Sequence, residues 1–256
     1  MSVLTYIAGV VGAVLRYIEA NTVFEEATGL AVRNAPVSLC LAGLSLLMAA
    51  VIAVCSVAIG KKKLATLDVK NAFPMGSIVV LALVTVCGVV ISLGAAGNYI
   101  LDTGEKEIFR IAYSVLGAAS GIAVIVAALK SFREDGGNYA RLYIIPTVFM
   151  CLWLVMTYKD NNTNPVLIEY CYKCLAVCGG TLAFYYAAGH GYGKPAPKRT
   201  VATHLIGAYF CLVTVSDAGN IAQAAVFGAT AIVLLVNVCL YVNSEKAIDE
   251  TTEEKE

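Results

Sequence analysis

Eight stretches of this chain hold no Asp, Glu, Lys or Arg: residues 1–15, 34–60, 71–101, 111–129, 142–158, 174–193, 200–216 and 218–244. A helix needs about 20 mostly apolar residues to cross a bilayer. Inside hydrocarbon, a lone segment satisfies its own backbone only as a helix. The pattern therefore predicts an all-α, polytopic transmembrane bundle of eight helices. They fall near 2–18, 36–59, 75–101, 108–130, 139–158, 166–189, 200–217 and 220–243. The sixth reaches back toward Pro165 only if Glu169 and Lys173 lie within it. The first is short, so seven spans plus an interfacial N-terminal helix is the alternative. Residues 1–244 read as one bundle and 245–256 as an acidic cytoplasmic tail.

Composition says what this excludes. Hydrophobic residues are 59% and charged residues 14%, against about 45–50% and about 25% in soluble domains. Basic and acidic residues balance at 18 each, so no cationic surplus suggests a nucleic-acid partner. All 9 cysteines lie in apolar stretches. They read as small packing residues, not a disulfide framework. Met1-Ser2-Val3 gives no positive n-region and no small-x-small cleavage site follows, so an uncleaved first span is expected.

Charge sets the expected orientation. With the N-terminus inside, the cytoplasmic segments hold Lys61, Lys62, Lys63, Lys70, Lys130, Arg133, Arg141, Lys194, Lys198, Arg199, Lys246 and Lys255. The outer segments hold only Arg16, Arg33, Lys106, Arg110 and Lys159. This bias obeys the positive-inside rule and places both termini in the cytoplasm of a cell membrane. Tyr17, Tyr99, Tyr158, Tyr170 and Tyr172 then form an outer aromatic belt. Tyr139, Tyr143, Tyr185, Tyr186, Tyr192 and Tyr241 form an inner one. Small-residue pairs, Gly117/Gly121 on helix 4 and Ala224/Gly228 on helix 8, are candidate helix contacts. Arg141 before Cys151-Leu152 and Arg199 before Cys211-Leu212 hint at a hairpin repeat of the kind seen in transporters.

Four groups of residues are candidates for chemistry. Glu169 and Lys173, at i and i+4 in the outer half of helix 6, are spaced for an ion pair. An ionisable residue inside a span is a functional hypothesis by default, with snorkelling as the structural reading. Cys171, Cys174 and Cys178 share a helix face and are weak candidates for a soft metal, but supply too few ligands for a zinc site. No metal and no cofactor is expected. Glu19, Asp102, Asp160 and Asp217 end the odd-numbered helices. Asp102-Thr103-Gly104-Glu105 reads as a capping box and Asp217 as an N-cap of helix 8. Asp217, Glu169, Lys173, Arg16 and Glu19 would also line one outer vestibule if helices 1, 6 and 7 are neighbours. His190, in a glycine-rich loop, and His204, early in helix 7, read as hydrogen-bonded residues, with Asn237 a partner for His204. The Gly189–Pro195 stretch lacks phosphate-loop spacing, and no HExxH or GxSxG is present. Asn161-Asn162-Thr163 fits a glycosylation sequon.

The stretch from Asn164-Pro165-Val166 to Lys198-Arg199, with Phe24-Glu25-Glu26-Ala27-Thr28-Gly29-Leu30, resembles a set of uncharacterised multi-pass membrane proteins of Gram-positive bacteria. The resemblance implies the helix layout and supplies no site residues. The expected function is non-enzymatic: binding or transport of a small or lipid-like molecule through an outward-facing polar vestibule. The alternative is an accessory or structural subunit, with another membrane protein or a second copy of the chain as partner.

Overall fold

The computed structural model describes residues 1–23, 32, 35–62, 72–101, 108–133, 139–162 and 166–253. Eight helices long and apolar enough to span a membrane lie among them. They are α1 (Ser2–Thr22), α2 (Pro36–Lys62), α3 (Ile78–Leu101), α4 (Ile108–Phe132), α5 (Ile144–Asn161), α6 (Leu167–Gly191), α7 (Pro197–Thr214) and α8 (Ile221–Glu253). Single 3-10 turns, Tyr139–Tyr143 and Val215–Asp217, precede α5 and follow α7. No strand occurs among the described residues. The fold is an all-α bundle, and the chain is an integral, multi-pass membrane protein.

The closest helix contacts use small and polar residues, as lipid gives apolar side chains little reason to leave it. On α1 the buried face is Thr5, Ala8, Gly9, Gly12, Arg16 and Glu19. Its large apolar residues, Val3, Ile7, Val11 and Val14, point outward. A Cβ on Gly9 would meet Leu212 at 2.5 Å, and one on Gly12 would meet Val213 at 2.7 Å. With Arg16 bonded to Asp217, contacts advance together along both chains, so α1 runs parallel to α7. That alignment with the bundle favours a span over an interfacial helix. Its 21 residues reach about 31 Å at 1.5 Å each.

The α3–α4 and α6–α7 pairs are antiparallel and close. A Cβ on Gly121 would run into the Gly88 carbonyl and Ser92, and one on Gly117 into Ala95 and Phe149. The expected GxxxG face is therefore a helix contact. The expected Ala224/Gly228 face is not a tight one, as a Cβ on Gly228 meets only Val215 at 3.9 Å. Helix α8 approaches α3 instead at Gly94, where a Cβ would lie 2.7 Å from Val226. Gly179 and Gly207 bring α6 and α7 together, backbone on backbone. The same α7 stripe carries Thr200, His204, Cys211 and Thr214. Thr214 donates to the Tyr172 carbonyl at 3.2 Å and Cys211 to that of Ala176 at 3.8 Å. Interhelical bonds of this sort average only about 0.6 kcal/mol in a membrane, so they fix register more than strength.

Besides shifts of three or four residues at the C-terminal ends of α1, α2 and α5 and at both ends of α7, three departures from the expected boundaries stand out. Helix α5 starts at Ile144, not 139. Pro146 lacks an N–H and its ring opposes the carbonyl four residues earlier, and the preceding turn tightens to 3-10. Residues 72–77 are not the start of α3 but a bend at 72–73 followed by an irregular stretch. It carries Phe73 into the core, fully buried. Ser131 donates to the Phe73 carbonyl at 2.6 Å, while the Phe73 amide donates to Tyr139 Oη at 3.0 Å. Helix α8 continues beyond Asn243 to Glu253. The expected capping box at 102–105, the 24–30 turn, Thr163 of the sequon and Pro165 lie outside the described residues.

Candidate functional site

Helix α7 packs against both α1 and α6, and the ends of the three gather most of the candidate charges on one face. Arg16 is the hub, with 1% of its side chain exposed. Nη1 donates to Glu19 Oε2 at 2.7 Å, one turn along α1. Nη2 donates to Asp217 Oδ2 at 2.9 Å and to the Glu169 carbonyl at 2.7 Å. The guanidinium also lies over the Tyr172 ring, 5.2 Å from its centroid. One side chain from α1 thereby ties α6 and the end of α7. A buried charge must be paired and hydrogen-bonded to be tolerated, and the planar fork of arginine suits three acceptors at once.

Lys173 is half-buried one turn deeper on α6. The carboxylates that act on it are Asp217 and Asp160. Asp217 in turn feels Arg16, Lys173 and Glu169. The i, i+4 spacing pointed to Glu169 as the partner of Lys173. In the bundle the exposed Glu169 lends its backbone to Arg16 and its charge to Asp217. Asp217 thus stands between two cations on two helices, with its own side chain 16% exposed. An apolar groove of about 330 Å³ opens beside this cluster, lined by Val10, Val14, Tyr17, Leu212 and Val215.

The capping role expected for Asp217 falls to Asn220, whose Oδ1 accepts from the Gln223 amide at 2.9 Å. Asp217 instead accepts from Arg16 through Oδ2. Asn220 also donates to Asn98 at 2.6 Å. Asn98 sits buried in α3 and was missed in the sequence reading, although an intramembrane Asn is itself a signal of helix-to-helix bonding.

The opposite face holds a second polar group. His190 lies in the last turn of α6, not in a loop, for the helix stops only after Gly191. His190 Nε2 is 3.0 Å from Thr200 Oγ1, whose own hydrogen goes to the Ala196 carbonyl at 3.0 Å. His204 Nδ1 donates to the Thr200 carbonyl at 2.7 Å. Asn237 accepts from Tyr143 Oη at 3.3 Å, so its partner is not His204. Four rings surround Phe73 at centroid distances of 5.7–6.1 Å: Tyr143, His190, His204 and Tyr241. Tyr139, Tyr143, Tyr172 and Tyr241 are core residues, not the belt residues their depth suggested. Tyr17, Tyr158, Tyr185 and Tyr192 are exposed, as a belt requires.

Among the described residues no group of three or more His, Cys, Asp or Glu side chains is placed to hold a metal. Cys171 borders the Arg16 cluster, whereas Cys174 and Cys178 lie near one another, with Cys151 near Cys178. Comparison with known proteins finds no matching family model, no matching curated protein and no matching solved structure.

Proposed function

We propose that this chain binds and carries a small or lipid-like molecule at the Arg16 face, which the charge bias makes the outer one. The observation that carries the reading is the position of Asp217, bonded to the buried Arg16 and within the field of the half-buried Lys173. Arg16 has spent its fork on protein acceptors and organises the site. Lys173 and Asp217 are the pair available to a polar headgroup, with Glu169 at the rim. The apolar groove next to them suits the tail of an amphiphile. No catalytic residue is part of this proposal.

The test is native mass spectrometry of protein released gently from its own membranes under reducing conditions. A reproducible added mass, lost in Lys173→Ala and kept in Cys174→Ala, is expected. A bare single-chain mass would overturn the reading. A mass shift equal to another protein would favour the accessory-subunit reading instead. That reading draws on α2, the least enclosed helix, which presents Leu39, Leu46, Leu47 and Val54 outward.

A further inference from the structure

We propose that the cavity at the α6–α7 turn, on the face opposite Arg16, binds the headgroup of an anionic phospholipid. The cavity measures about 640 Å³, within the range of small-molecule sites, about 300–1,000 Å³. Tyr185, Tyr186, Tyr192, Lys194 and Arg199 line it, with Ile144 on the α5 side. Lys198 belongs to an adjoining hollow formed by residues 195–199.

Charge complementarity identifies the ligand as an anion. Three cations fall within residues 194–199, and no Asp or Glu occurs anywhere from 170 to 216. Lys194 and Arg199 are exposed, so they meet solvent and headgroups and are not spent on an internal partner of the Arg16 kind. The amino end of α7, with Pro197 in its first turn, adds a favourable dipole.

The walls identify the anion as a lipid. Tyr185 and Ile144 are exposed on membrane-spanning helices, so the cavity opens toward the acyl region as well as toward water. Tyrosine at a membrane boundary presents an apolar ring to the chains and a hydroxyl to the headgroups. Basic pockets between helices on the cytoplasmic side are the general setting for anionic headgroups, and the charge bias predicts that this face is cytoplasmic.

The site is also preformed. Lys194 and Tyr192 amides both donate to the Gly189 carbonyl, and the Gly193 amide donates to that of His190. Gly193 closes the turn at φ +70°, a conformation that costs glycine little. Arg141 donates from Nε to the Gly191 carbonyl at 2.8 Å and lies over the Tyr192 ring. A Cβ at Gly191 would run into the Arg141 backbone. The rim is thus pinned before any lipid arrives.

The test titrates delipidated protein in mild detergent with phosphatidylglycerol, and separately with phosphatidylcholine of the same chains, by native mass spectrometry. Lys194→Gln with Arg199→Gln should weaken phosphatidylglycerol binding about 30-fold, near fivefold per cation, and leave phosphatidylcholine unchanged. Lys194→Gln alone should give the fivefold part. Lys130→Gln, an exposed cation at the end of α4 on the same face, should leave both lipids unaffected. An unchanged double variant, or an equal loss in Lys130→Gln, would overturn the proposal. Displacement of phosphatidylglycerol by millimolar inorganic phosphate would also overturn it, assigning the cavity to free phosphate.

Discussion

Replacing Arg16 by Met removes the guanidinium and keeps a side chain of similar length. It strands Glu19, 1% exposed, and Asp217, 16% exposed, together with the third acceptor, the Glu169 carbonyl. Taking one partner from a buried ion pair costs about 3–5 kcal/mol. Water reaches Asp217 in part, so the lower half of that range, about 3–4 kcal/mol, is expected. Replacing the whole set, Arg16→Met with Glu19→Leu and Asp217→Leu, should recover most of the loss, as apolar substitution of a complete buried ion set is often neutral. Reversible steric-trap unfolding in bicelles measures all three proteins. A loss below about 1 kcal/mol in Arg16→Met would refute the reasoning, since an interaction of that size is typical of an exposed pair.

Three further outcomes are expected. Gly121→Val should weaken the bundle by about 1–3 kcal/mol or more through overpacking, whereas Gly228→Ala, where a Cβ would make only an ordinary contact with Val215, should change unfolding by under about 1 kcal/mol in either direction. Phe73→Ala, which empties the centre of four rings, should cost about 3–5 kcal/mol in the same assay. Nitrogen-15 spectra should show opposite histidine tautomers. The carbonyl facing His204 Nδ1 can only accept, so hydrogen sits there. Thr200 spends its hydrogen on Ala196, so in His190 hydrogen sits on Nε2.

The helices were legible because hydropathy and charge act locally. The Gly117/Gly121 contact was legible as a small-residue pair, although the same spacing at Ala224/Gly228 gives no tight contact. The partners of charges were not. Asp217 and Asn220 are both ordinary N-cap residues ahead of α8, and only Arg16, 201 positions away, decides between them. Likewise the i, i+4 rule reaches only Glu169, whereas Asp217 and Asp160 act on Lys173 from other elements. Tyr143 and Tyr241 lie at belt depth in the sequence, yet depth carries no information about which way a helix faces. Phe73 was hidden by its apolarity, although Pro74 and Gly76 beside it are breaker signals.

The central claim is that Lys173 and Asp217 serve a ligand, while Arg16 serves the fold. Measuring bound mass and unfolding free energy on the same Lys173→Ala preparation separates the two roles. The account predicts that the added mass disappears while unfolding stays within about 1 kcal/mol of the parent, since Asp217 keeps its bond to Arg16 and a loosely held pair is worth about that much. Retention of the mass in that variant, or a fall in stability as large as that of Arg16→Met, would contradict it.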